Sequence, residues 1–383
     1  VVMPDGSLPH HADVQRALTL WLNGNGDIAS QLDTLELPDV IVDALLGTGL
    51  NRTIGNSYAQ AIQTINTARN NGVAVMALDI PSGLHADTGL PQPIAVQADI
   101  TVTFIAQKLG LYSGLGPDYT GEVVYARLVE QLPNYIPAAA IALDRGVWKT
   151  WLKPRKRTAH KGDHGHVLLI GGDVGMTGAL RLAGEGALRA GAGWVTLATR
   201  AEHAAQMNAQ RPEIMTAGVH NSADLAPLLA KASTVVIGPG LGQSAWALDL
   251  LRAVCQSSLP VILDADALNL LPLIQHNPRL DTQDPRGGQW ILTPHPGEAA
   301  RLLRTDNHTV QAHRLMSARL LAQRYNAVVV FKGAGTLITQ PNRTPALCVA
   351  GNPGMAVGGM GDVLAGFIGG LVAQGLDLHK AAC

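Results

Sequence analysis

"HKGDHGHVLLIGGDVGMTGALRLAGEGALRAGAG" occupies residues 160–193. Its apolar stretch "GHVLLIGG" reads as a strand. A glycine turn follows, and then a small-residue helix from Gly178 to Ala190. The same plan returns down the chain. Strands are predicted at "WVTLATR", "TVVIGPG", "PVILDAD" and "WILTPHPG", with a strand pair around "VVVFKGAGTLIT", and a second clear helix at Pro296 to Leu303. Alternating strand and helix predicts an α/β fold with a mostly parallel sheet covered on both faces. Ligands of such sheets bind beyond the carboxyl ends of the strands. Nearly every strand here ends in glycine, aspartate or histidine.

The first half alternates in the same way. "DVIVDALLGTG" (39–49) and "VAVMALDIPSG" (73–83) are each a strand running into a turn, and "DITVTFIA" and "GEVVYARL" add two more strands. The segment "LVEQLPNYIPAAAIAL" (128–143) has two prolines and no clear period. A domain boundary is expected there, giving domains 1–140 and 141–383.

Composition narrows the function. The 383 residues carry a net charge of −1, which argues against a broad grip on nucleic acid or an anionic membrane. Val363 to Ala373 is about half the roughly 20 residues that a membrane span needs. Gly366, Gly370 and Ala373 on that run are read as close helix packing. Three cysteines without paired spacing suit a reducing compartment, and a cytoplasmic location is expected. The chain does not start with Met and ends within a helical pattern, so it is expected to be part of a longer protein.

Several stretches carry chemistry. In "GGMGDVLAG", Gly358, Gly359 and Gly361 lead to Asp362 at the start of an apolar helix. Bare backbone N–H groups and the helix N-terminus suit an anion. Asp362 is either a helix cap or the base that takes a proton from a hydroxyl attacking phosphorus. Lys332 and the backbone beyond it form either a hairpin turn or a phosphate contact, and Thr336 adds a hydroxyl. His295, between two prolines, stands at a strand's carboxyl end. Glu298 is a helix-dipole partner or a water-mediated Mg²⁺ ligand. Asp264 and Asp266 are caps or metal or hydroxyl partners. In the first half Asp43, Asp79 and Ser82 lie at strand ends. They are ordinary turn caps or oxygen donors for a hard cation.

Together "VDALLGTGL", "DIPSG", "HKGDHGHVLLIGG", "VVIGPGLGQ", "DADALNLL", "TPHPGEAARLL", "VVVFKGAGT" and "GNPGMAVGGMGDVLAG" resemble, in this order, the bifunctional NAD(P)H-hydrate repair enzymes. The likeness covers essentially the whole chain. It implies an incomplete Rossmann-like epimerase domain followed by a ribokinase-like dehydratase domain. It further implies interconversion of the R and S hydrates, and removal of water from the S hydrate of NADH or NADPH at the expense of ADP (or ATP). AMP and phosphate leave when ADP is the donor. By resemblance, Asp43 and Ser82 are K⁺ ligands. Gly47, Thr48, Gly49, Leu50, Asn51, Arg52 and Thr53, with Asp79, contact the epimerase's substrate. Ala179, Gly240, His295 and Asp362 bind the hydrate in the dehydratase. Lys332, Gly333, Ala334, Gly335, Thr336 and Gly361 hold the adenine nucleotide. Asp362 and Asp79 are the expected catalytic residues, and Mg²⁺ accompanies the nucleotide. An assembly of identical chains is expected. The family's Asn-Asn-Gly-Gly-Asp loop and its closing helices do not occur in the sequence. The competing reading is a ribokinase-like kinase of a vitamin alcohol, which would release a stable phosphate ester. A non-catalytic nucleotide-binding scaffold is a third, and Asp362 beside an intact "KGAGT" argues against it.

Overall fold

The structure, a computed structural model, describes residues 1–4, 11–30, 38–130, 136–274 and 289–383. Part of the expected boundary segment, residues 131–135, lies outside them. The chain divides into two compact units, Val1–Pro137 and Ala138–Cys383.

The first unit is built on four parallel strands in the order β1 (Val40–Asp43), β2 (Ala74–Leu78), β3 (Ile100–Phe104) and β4 (Glu122–Ala126). The strand period of two sends Ile41, Val75 and Ala77 to one buried face. Ile62, Ile65 and Ala68 of helix Asn56–Asn70 meet them there. Parallel pairing brings the carboxyl ends of all four strands to one edge. Asp43, Asp79 and Ser82 therefore lie on or just beyond that edge.

The second unit carries ten strands among the described residues: β5 (Ile141–Ala142), β6 (His166–Ile170), β7 (Trp194–Thr199), β8 (Met215–Gly218), β9 (Thr234–Ile237), β10 (Val261–Leu263), β11 (Trp290–Leu292), β12 (Val328–Phe331), β13 (Thr336–Thr339) and β14 (Ala346–Cys348). Their order is 5-14-13-12-11-10-9-6-7-8. Only the β12–β13 and β13–β14 pairs are antiparallel. Central strands such as Val235–Ile237 and Val261–Leu263 are buried along their whole length, because helices cover both faces. The chain builds outward from β6 through β7 and β8, then returns to β6's other side with β9. That reversal opens a crevice at the carboxyl ends of β6 and β9.

Helices Thr177–Ala190 and Met360–Ala373 pack closely on this sheet. A Cβ on Gly366 would come within 1.8 Å of the Ala183 carbonyl oxygen, and one on Gly370 within 2.6 Å of that of Ala187. The small-residue stripe is thus a helix–helix seam inside the unit. No helix among the described residues is long and apolar enough to cross a membrane. The expected strands are all present. β5, β8 and β14 extend the sheet beyond them.

Candidate active site

Four adjacent parallel strands deliver the functional side chains of the second unit to one edge. Asp264 directly follows β10, Thr293 follows β11, Lys332 follows β12, and the turn Gly238–Gly242 follows β9. Asp264 is almost fully buried. Its Oδ1 accepts hydrogen bonds from Thr293 Oγ1 at 2.7 Å and from Lys332 Nζ at 2.9 Å. The Lys332 ammonium also lies 3.9 Å from Glu298 Oε2. The lysine at this turn is therefore tied into a buried acidic cluster.

The helix beginning at Met360 closes the cluster. Gly359 precedes it with φ +92°, a left-handed conformation that glycine adopts without strain. A Cβ on Gly361 would lie 3.3 Å from Lys332 Nζ and 3.8 Å from Asp264 Oδ2. A side chain there would crowd the ammonium. Asp362 follows in the first helical turn and makes no cap, because Gly359 is the N-cap and no side chain caps the helix. Burial, with the nearby charge of Asp264, raises the Asp362 pKa from 3.8 to about 6, against the opposing pull of Lys332. At neutral pH it is mostly ionised and a stronger base than an ordinary aspartate.

His295 caps helix Pro296–Leu303. Gly297 N–H donates to His295 Nδ1 at 3.0 Å, so a neutral ring carries its proton on Nε2, 3.4 Å from Glu298 Oε1. Burial, and then the charges of Lys332 and Arg301, hold the His295 pKa below its usual value and favour that neutral ring. Glu298 Oε2 accepts the His295 backbone N–H at 2.8 Å, which completes a capping box. Burial lifts the Glu298 pKa to about 7, in spite of Lys332. Its oxygens suit a hard cation, and a divalent ion nearby would favour the charged form.

Gly240 packs closely against Met176 and Ala179. A Cβ on Gly240 would lie 3.3 Å from Ala179 Cβ, and the glycine holds φ +59°. Asp173 secures this region. Its N–H donates to Gly240 O at 2.6 Å, and Arg200 Nε donates to its Oδ1 at 2.8 Å. Asp266 accepts from Gly242 N at 2.9 Å, so it braces the turn. The turn at Gly333–Gly335 rests on Arg314, which the sequence reading missed. Arg314 Nη2 donates to Lys332 O at 3.2 Å and Gly335 O at 3.4 Å, and its guanidinium stacks 4.4 Å from the Phe331 ring centre. Burial pushes its pKa down to about 10, so it remains charged. Thr336 Oγ1 donates to Gly333 O at 2.9 Å and closes the same turn. Ala334 is exposed at its tip.

In the first unit Asp43 is buried, and Ser82 meets it twice: N–H to Oδ2 at 2.7 Å and Oγ to Oδ1 at 2.6 Å. Burial raises the Asp43 pKa. No lysine or arginine pairs with it among the described residues. The carboxylate and the hydroxyl are both oxygen donors, which suit a hard cation better than a soft one. Residues 47–53 form an exposed loop, and a Cβ at Gly47 or Gly49 would touch nothing within 4 Å. Asp79 sits at φ +70°, and its Oδ1 is bonded by Lys108, which the sequence reading also missed.

A doubly wound sheet with a glycine–aspartate helix start at its reversal point defines a ribokinase-like α/β domain, here joined to a Rossmann-like parallel unit. Comparison with known proteins agrees. The NAD(P)H-hydrate dehydratase family model matches residues 167–383, and a model of the YjeF-related protein N-terminus matches residues 2–110. The bifunctional NAD(P)H-hydrate repair enzyme Nnr of Coxiella burnetii is 48% identical over 92% of this chain and 72% of its own length. Its Escherichia coli counterpart is 44% identical over 99% of this chain and 71% of its own. The ADP/ATP-dependent NAD(P)H-hydrate dehydratase of Bacillus subtilis, co-crystallised with ATP and Mg²⁺, has a TM-score of 0.55 and 31% identity, covering 63% of this chain and 84% of that one. The chain belongs to the bifunctional NAD(P)H-hydrate repair enzymes.

Proposed function

We propose that this chain repairs hydrated NADH and NADPH. The second unit removes water from the S hydrate with ADP or ATP, and the first interconverts the R and S hydrates. The observation that carries the dehydratase reading is Asp362. It is an uncapped carboxylate with a raised pKa in the first turn of a helix, beside Lys332.

The chemistry follows from that placement. Gly240, Ala179 and His295 line the hydrate's side of the crevice. Lys332, Gly333 to Thr336 and Gly361 receive the nucleotide. Asp362 takes the proton of the hydrate's hydroxyl as its oxygen attacks the terminal phosphorus of ADP, and AMP leaves. The ring then expels the new ester as phosphate and loses a proton from the adjacent carbon. The ring double bond is restored, and the hydroxyl oxygen departs within phosphate. Mg²⁺ bound with the nucleotide would neutralise phosphate charge, with Glu298 the residue here to hold one of its waters. In the first unit, Asp43 and Ser82 would hold K⁺, whose charge would favour an anionic substrate, and loop 47–53 would contact that substrate. Asp79 is the acid–base group of the hydrate interconversion. Three cysteines without paired spacing suit a reducing, cytoplasmic setting, and an assembly of identical chains remains part of this reading.

The test is direct. The protein is incubated with hydrated NADH and ADP, and reduced nicotinamide, AMP and phosphate are measured. A stable phosphate ester without reduced nicotinamide would mean a kinase and overturn the reading.

A further inference from the structure

We infer that Lys108 is a positioning residue for the epimerase reaction, holding one oxygen of Asp79 so that the other acts on the substrate. The inference rests on the epimerase reading of the first unit.

Asp79 follows β2, and Lys108 lies in the loop after the neighbouring strand β3. Three donors converge on Asp79 Oδ1: the Phe104 N–H at 3.0 Å, Thr103 Oγ1 at 3.4 Å, and the Lys108 ammonium. Asp79 Oδ2 takes no hydrogen bond among the described residues. Lys108 is itself fixed, donating to Phe104 O at 2.9 Å and Thr103 Oγ1 at 3.1 Å. Its side chain is only 16% exposed. A long, entropically costly side chain is thus held by three acceptors at the ends of two neighbouring strands. The backbone at Asp79 adopts a left-handed conformation that strains a non-glycine residue. A simple turn cap needs neither that strain nor a lysine. The arrangement makes chemical sense if Oδ1 is the anchor and Oδ2 the working oxygen. One oxygen carries the charge-assisted contacts that fix the carboxylate plane, and the second keeps its lone pairs for a proton in transit.

The experiment uses the natural full-length protein and follows conversion of purified R hydrate to S hydrate by chromatography. Lys108→Met should lower the epimerase kcat by about 10- to 100-fold, as expected for a misplaced catalytic group, with KM within threefold. Lys108→Arg should recover most of the loss, because a guanidinium also reaches the carboxylate. The dehydratase rate, measured on S hydrate, should stay unchanged, and native-state hydrogen exchange of the β1–β4 sheet, unchanged from wild type, reports folding of the first unit. Thr103→Val removes one donor with little change in volume and should give a smaller loss in kcat alone. If wild type fails to interconvert the hydrates while its dehydratase runs, the epimerase reading falls and this inference with it. If wild type interconverts them and Lys108→Met keeps kcat within threefold, the inference alone is overturned. A loss shared between kcat and KM, with no rescue by arginine, would assign Lys108 to packing and equally overturn it.

Discussion

Replacing Asp362 by asparagine separates stability from catalysis. The carboxylate pKa stands at about 6 in the folded protein against 3.8 in a model peptide. A displacement of that size corresponds to up to about 3 kcal/mol of penalty on the ionised form. Asp362 is only partly buried, so solvent screening reduces this to about 1–2 kcal/mol. The folded pKa lies above the unfolded one. The stabilising effect of the protonated group is therefore complete below pH 3.8 and lost as pH rises through about 6. Above that pH the wild type bears the cost of a partly desolvated charge and the asparagine variant does not. The variant should melt roughly 2–8 °C higher at pH 7.5, and the difference should vanish near pH 4. Its turnover should fall by about 10²- to 10⁴-fold, since an amide cannot accept the hydroxyl proton. Wild-type turnover should also fall tenfold per pH unit below about 6, an acid limb the variant lacks. Thermal melts across pH, with turnover read as regenerated reduced nicotinamide, test both halves. A variant that is less stable at pH 7.5, or that retains a third of wild-type turnover, would refute the reasoning.

Other outcomes follow from the same geometry. Lys332→Ala should weaken ADP binding by roughly 10- to 150-fold in calorimetry, through loss of a charge-assisted contact. It should also cost about 1–3 kcal/mol of stability by stranding Asp264, and Asp264→Asn in the same chain should restore stability but not affinity. Arg314→Ala should lower the melting temperature by several degrees and weaken ADP, because the Gly333–Gly335 turn loses its support; unchanged ADP affinity would detach that turn from the nucleotide. Asp43→Asn should abolish any stimulation of hydrate interconversion by K⁺ over a bulky organic cation, measured with the dehydratase rate as control.

Much of the fold was legible because its signal is local. Runs such as "VLLI", "VVI" and "VIL" must be strands buried on both faces, and each is followed by its own turn and helix. β5, β8 and β14 were not legible. They are two to four residues long, and their pairing depends on neighbours distant in sequence. Asp362 and His295 stood out beside glycine and proline, whose backbone demands are local. Asp264 remained open between cap and ligand, since its partners Thr293 and Lys332 come from two other strands.

Sequence by itself determined the alternation of strand and helix, the carboxyl-end position of the polar residues, and the motifs that carry the family likeness. Those depend on side-chain period and on turn chemistry within a few residues. Tertiary structure alone decided which charges meet. Parallel pairing of β10, β11 and β12 brings Asp264, Glu298 and Lys332 together across 68 residues of chain. Burial there lifts Asp362 and Glu298 toward neutral pH, because desolvation depends on what surrounds a group in space. Lys108 and Arg314 became visible only in the fold for the same reason. Each is an ordinary cation in sequence, and each is given its task by the carboxylate or carbonyl that the sheet places beside it.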